Sequence, residues 1–226
     1  MITLKYCKRD ALIYVSHIDL LRHMERTLRR TDLPVAYSQG YNPHMLVNLG
    51  ITLPLGVASV CEYVTVDVDV SPAVFLARYN ACCPAGLAGL AAWQVPKNPN
   101  LAGVVSAADY RFAGALGDKS AAVGTLAARG SYVIAYPTKK DPSAQKDVAP
   151  LLYALRADRE GLNVCMAAGN TTVRPQALIA AIESEFGVQF DLCGVTRLAQ
   201  YVRTPEGALS DVDAMLDGLA QDKAYV

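Results

Sequence analysis

A chain of 226 residues, 52% hydrophobic and 19% charged, with 21 basic side chains against 21 acidic, is long enough for one large domain or two small ones around a real core. The charge balance excludes a global electrostatic grip on nucleic acid, and with no apolar run of spanning length no membrane contact is expected. Six cysteines without CxxC or Cys/His spacing speak against a zinc or iron–sulfur centre, so neither a metal nor a cofactor is expected and the thiols are read as free and mostly buried. The opening MITLKYCKRD lacks the order of a signal peptide, which makes a cytoplasmic setting the expectation.

The elements follow in chain order. ITLKYCK alternates apolar and polar residues and predicts a half-buried strand. Ser16 stands at an N-cap position with Asp19 three residues on, as in a capping box, which places a helix from His17 to about Thr31. Leu21, Met24 and Leu28 form its apolar stripe. Pro34 stops the helix and the chain turns through VAYSQGYNPH. An extended HMLVNLGITL, a Pro54/Gly56 turn and the β-branched alternation CEYVTVDVDV, Cys61 to Val70, come next. Ser71-Pro72 opens a second helix, AVFLARYNACC, and Leu87 to Pro96 reads as a closing strand. Strand, helix, strand, strand, helix, strand is the split βαβ plan of a ferredoxin-like unit.

Lys97 to Gly103 has the Pro/Asn/Gly content of a linker, and beyond it the order recurs. ADYRFAGAL predicts a strand, Asp118 to about Arg129 a helix, and SYVIAYPTK a strand. LLYALRA and LNVCMAA form a hairpin turning at Asp158 to Gly161. QALIAAIESEF is a helix opened by Pro175 and closed by Gly187 in the left-handed region, and Val195 to Val202 closes the unit. Thr204 to Val226 reads as a short acidic helix or tail. The predicted architecture is α+β: two ferredoxin-like βαββαβ units side by side, residues 1–98 and 103–203, with antiparallel sheets and helices on one face, followed by the segment 204–226.

The candidate chemistry gathers near the N-terminus. Seven basic side chains face four acidic ones before residue 51, whereas Glu206, Asp211, Asp213, Asp217 and Asp222 crowd the other end. On a helix wheel Arg22, Arg26, Arg29 and Arg30 span about 100° and form one guanidinium patch, with His23 at its margin. Such a patch suits phosphate or RNA, and the bland alternative is a solvated face with Glu25 as a neutralising neighbour. His17 falls in the first helical turn on the side of the apolar stripe. It is a candidate general base or phosphate donor, or a half-buried residue of the helix start. The loop carrying Tyr37, Ser38, Tyr41, Asn42 and His44 offers donors together with aromatic faces, as stacking on an unpaired base requires. Catalytic candidates are therefore His17 and His44, and RNA- or anion-binding candidates are Arg22, Arg26, Arg29, Arg30, Tyr37, Ser38, Tyr41 and Asn42.

The run YVSHIDLLRHMERTLRRTDLPVAYSQGYNPH, continued by LGITLPLGVASVCEY, resembles the signature of a bacterial radical-SAM-linked domain family of unknown function. The likeness covers Tyr14 to Tyr63 and includes Ser16, His17, Asp19, Arg22, Arg26, Arg29, Arg30, Asn42, Pro43, His44, Glu62 and Tyr63. It departs after His44, where Met45-Leu46 replaces the family's usual Pro-Lys and removes a lysine that could clamp a phosphate. The resemblance implies a radical SAM protein as partner and a setting in RNA metabolism. The leading expectation is an accessory RNA-binding or substrate-presenting domain without catalytic activity of its own. The alternatives are a metal-independent RNA-processing nuclease with a histidine base, and a protein-interaction module.

Overall fold

The computed structural model describes residues 1–221, so the end of the acidic stretch, Asp222 included, lies outside the described residues. The chain forms two compact units, Met1–Val105 together with the residues from Tyr201 onward, and Ser106–Gln200. The fold class is mixed, with β-sheet and helices in both.

In the first unit β1 (Ile2–Lys8), β2 (Val47–Leu49), β3 (Ala58–Val66) and β4 (Gly89–Gln94) lie in the order β4-β1-β3-β2, each neighbour antiparallel. Helix α1 (His17–Arg30) connects β1 to β2, and α2 (Pro72–Cys82) connects β3 to β4. Strand alternation sends Ile2, Leu4, Tyr6, Val64 and Val66 to one face. There they share a core with Leu20, Met24 and Leu28 of α1 and Phe75 and Tyr79 of α2. Burying each such side chain contributes about 1.5–3 kcal/mol, which fixes the helices against the sheet.

Thr3, Lys5, Tyr63, Thr65 and Trp93 alternate to the opposite face, in the register Thr3↔Thr65, Lys5↔Tyr63 and Thr3↔Trp93. A second layer covers that face as well. Strand β11 (Leu209–Asp211) pairs with Tyr201–Arg203, the last residues of β10 (Gln189–Arg203), and leads into α6 (Val212–Gln221). Asp213 of α6 accepts from Lys5 Nζ at 2.5 Å and from the Tyr63 hydroxyl at 2.6 Å, and Asp217 accepts from Trp93 Nε1 at 2.7 Å. Two expectations are corrected here: helices cover both faces of this sheet, and β1 is buried on both sides. The short acidic helix expected within 204–226 forms as α6 and docks through the buried Val212 and Leu216. The reason is a long-range match between an acidic helix and the donors of the sheet, which local alternation cannot reveal.

In the second unit β5 (Val105–Ala115), β8 (Leu152–Asp158), β9 (Gly161–Ala167) and β10 lie in the order β10-β5-β9-β8, with β5 and β8 both antiparallel to β9. The β8–β9 turn forms where expected, with Gly161 at φ +145° and a Cβ there only 2.0 Å from the Phe112 carbonyl oxygen. Helix α5 (Pro175–Phe186) starts at its proline and ends on Gly187 in the left-handed region. The helix expected over 118–129 is instead a five-residue α4 (Ser120–Gly124) between 3-10 turns. Only Val123 and Leu126 anchor it, and Gly117, Gly124 and Gly130 loosen it. SYVIAYPTK shrinks to β6 (Val133–Ala135), which pairs with the unanticipated β7 (Gln145–Asp147) in a separate two-stranded sheet.

Candidate functional site

Helix α1 carries most of the residues singled out in the sequence. Ser16 Oγ accepts the Asp19 N–H at 3.2 Å and donates to Asp19 Oδ2 at 2.7 Å, while Arg22 Nη1 donates to Oδ1 at 3.0 Å. Asp19 thus ties the cap to the first arginine through side chains. The Ser16 hydroxyl, and after it Arg22, hold the Asp19 carboxyl below the usual carboxylate range. The buried stripe is Leu20, Met24, Thr27 and Leu28, shifted by one position from the expected Leu21.

On the far side of the helix Arg22, Arg26, Arg29 and Arg30 are all exposed, yet they are not equivalent. Arg29 pairs with Glu25 at 3.6 Å. Arg30 Nη2 donates to Thr27 Oγ1 at 3.2 Å and to the Cys82 carbonyl at 2.9 Å, which ties the end of α1 to the end of α2. Arg26 forms no hydrogen bond or ion pair among the described residues. Four guanidiniums against Asp19 and Glu25 leave this face cationic.

The loop after α1 is closed by a latch. Tyr37 and Met45 form an isolated β-bridge. Inside it the Ser38 N–H donates to the His44 carbonyl at 2.9 Å, the His44 N–H donates to Ser38 Oγ at 3.1 Å, and Ser38 Oγ lies 2.8 Å from His44 Nδ1. Gly40, at φ +129°, makes the turn. The latch leaves Tyr41 fully exposed, Tyr37 41% exposed and Asn42 at the surface. The Ser38 and His44 side chains therefore engage each other at the surface.

His17 goes elsewhere. With Leu21 it lines a cavity of about 230 Å³ whose other walls include Asn48 of β2, Thr65 of β3, and Asn98 and Asn100 from the segment after β4. None of the α1 arginines and no residue of the 37–44 loop lines it. Nine residues separate His17 from Arg26, which at 100° per residue puts them on opposite sides of the helix. The residues expected to act together thus fall into three places: the cavity, the arginine face and the latched loop. In the sequence Asn48 falls in an extended stretch and Asn98 and Asn100 in a linker, and nothing local marks them as site residues. Only the crowding of asparagine around Pro99 hinted that the segment holds a defined shape.

Among the described residues no group of three or more His, Cys, Asp or Glu is placed to hold a metal ion. No helix among them is long and apolar enough to cross a membrane. Cys7 and Cys61 are buried, Cys82, Cys83 and Cys165 are partly exposed and Cys193 is exposed, which corrects the expectation that most would be buried. No curated protein matches the chain. Residues 1–175, from β1 through β9 to the start of α5, match the model of a family described as uncharacterised proteins conserved in bacteria (DUF2344), and the chain belongs to that family.

Proposed function

We propose that the protein is an accessory RNA-binding domain that holds or presents substrate for a radical SAM partner, with the chemistry carried by the partner. The observation that carries this reading is the latched loop. A tyrosine wholly in solvent, Tyr41, is displayed with Tyr37 on a turn held by three Ser38–His44 hydrogen bonds. Exposed aromatic faces on a preorganised loop are what base stacking needs, and a cationic helix face with an uncommitted Arg26 supplies phosphate contacts. The strand orders β4-β1-β3-β2 and β10-β5-β9-β8 support reading both sheets as ferredoxin-like units. Sheets of that kind often stack bases on the open face, but in the first unit α6 occupies it, which favours the helix and loop as the contact. The Ser38–His44 bond, and the placement of His17 away from the arginines, favour binding over a histidine-based nuclease.

Fluorescence anisotropy with labelled single-stranded RNA tests the reading. Affinity should fall with added salt, Arg26→Ala should lower the salt slope by about one, and Tyr41→Ala should weaken binding about fivefold or more. RNA binding that is absent, or indifferent to both changes, would overturn it. Co-purification with a radical SAM protein checks the partner.

A further inference from the structure

The cavity beside His17 holds more unused hydrogen-bonding capacity than the packing of α1 requires. Asn98 Oδ1 accepts the Asn100 N–H at 2.9 Å, and the Asn98 Nδ2 protons are unengaged among the described residues. The side chains of His17, Asn48 and Asn100 form no hydrogen bond among the described residues. Asn100 sits in the left-handed region, φ 52° and ψ 48°, at the N-cap of the single-turn α3 (Leu101–Val104), and its side chain does not cap. An asparagine at this position ordinarily keeps extended backbone and gives its oxygen to the helix. Asparagine occupies this region readily, and here the conformation leaves its carboxamide free of the helix it precedes. Gly103 makes room for that side chain, since a Cβ there would stand 2.6 Å from Asn100 Nδ2.

The lining also limits what can enter. Among the described residues no Asp, Glu, Lys or Arg lines the cavity, so no opposite full charge there offsets the cost of desolvating a phosphate or carboxylate. Leu21 and Leu101 give apolar walls, and three carboxamides in the lining supply donors and acceptors of the kind that read the edge of a nucleobase. At about 230 Å³ the space is smaller than pockets for drug-sized ligands, roughly 300–1,000 Å³, and suits one flat heterocycle without its sugar and phosphate. We infer that this cavity takes a single uncharged nucleobase splayed from the RNA, with Asn48, Asn98 and Asn100 reading its edge and His17 at its margin. The inference rests on the RNA-binding reading above and adds base selectivity to it.

The test compares anisotropy of the full chain with short labelled RNA homopolymers of each base, alongside NMR of the His17 ring protons during titration with each of the four nucleosides. The wild type should prefer one base by about tenfold or more. That preference should collapse below about twofold in Asn48→Ala and in Asn100→Gly, which keeps the left-handed backbone while removing the carboxamide. Arg26→Ala should weaken all four homopolymers alike. A preference that survives both asparagine changes, or a wild type with no preference and no nucleoside shifting His17, would overturn the inference while leaving RNA binding intact. If no homopolymer binds but one nucleoside shifts His17 and fails to do so in Asn100→Gly, the cavity assignment stands and the RNA-binding reading falls.

Discussion

Tyr63 and Asp213 meet at 2.6 Å across 150 positions of sequence, and the second oxygen of the same carboxylate lies 2.5 Å from Lys5 Nζ. Burial first, and the Asp213 hydrogen bond second, push the Tyr63 phenol far above its ordinary range, so it stays a neutral donor at any working pH. One acidic side chain thus satisfies a buried hydroxyl and a partly buried ammonium at once. Asp213→Ala leaves both without that acceptor, and urea denaturation should register a loss of about 1–3 kcal/mol. A change within about 0.5 kcal/mol, the range of ordinary surface substitutions, would mean that α6 is not fastened at this point.

The neighbouring contact has its own reporter. Trp93 is the only tryptophan in the chain, and its indole N–H donates to Asp217 at 2.7 Å. Lifting α6 bares the indole to water, so Asp217→Ala should shift tryptophan emission to longer wavelength while far-UV circular dichroism stays close to that of the wild type. An unchanged emission spectrum would mean that the Asp217 contact does not hold α6 over Trp93 in solution.

What the sequence reveals of this fold is what local rules decide. Ser16 and Ser71 cap helices because a short side-chain oxygen beside free N–H groups does so wherever the chain permits; Gly187 takes the left-handed backbone that ends α5, and the turn at Gly161 excludes a Cβ. The core side of α1 was legible to within one residue, Leu20 in place of Leu21, because periodicity fixes a face while packing against Phe75 and Tyr79 fixes its centre. The site was less legible. The role of α6 depends on Lys5, Tyr63 and Trp93 from three strands finding two carboxylates far along the chain. The asparagines of the His17 cavity carry no period, and no local rule of the sequence pairs His44 with Ser38.

Acid should destabilise the protein through named carboxylates. The Ser16 hydroxyl depresses Asp19, the Tyr132 backbone N–H and the Ser131 hydroxyl depress Asp147, and Arg111 depresses Asp158, each below its ordinary value of about 3.8. A carboxylate held below its unfolded pKa contributes stability that is complete above the unfolded value and lost as pH falls through the folded one. Urea midpoints should therefore decline as pH falls below about 4, and Asp147→Asn should flatten that decline. A main loss centred near pH 6 would contradict the assignment to these carboxylates.

The cysteines should label in an order set by exposure. Burial, and then the hydrogen bond with Asp109, pushes the Cys165 thiol up to about 12, and burial raises Cys83 as well. The thiolate is the reactive form, so at pH 8 exposed Cys193 should react first with Ellman's reagent, and buried Cys7 and Cys61 should wait for unfolding. Cys193→Ser should remove the fastest phase. A fast phase that survives this change would assign the reactivity to Cys82, whose Sγ lies 3.2 Å from the Arg30 carbonyl.

The latch separates a structural His44 from a catalytic one. Ser38 Oγ serves both the His44 N–H and Nδ1, so Ser38→Ala and His44→Ala undo the same side-chain contact between residues 38 and 44. Each hydrogen bond at such an exposed site contributes on the order of 0.5–1.5 kcal/mol, enough to loosen the loop without unfolding the unit. Both single variants should expose the Tyr41 bond to chymotrypsin faster than the wild type and weaken RNA binding, Ser38→Ala somewhat more because it also removes the acceptor of the His44 N–H. The double variant should be little worse than Ser38→Ala, because residues sharing one interaction do not add. If His44 were a general base, RNA cleavage would vanish in His44→Ala and persist in Ser38→Ala, and that divergence would replace the binding reading with the nuclease one.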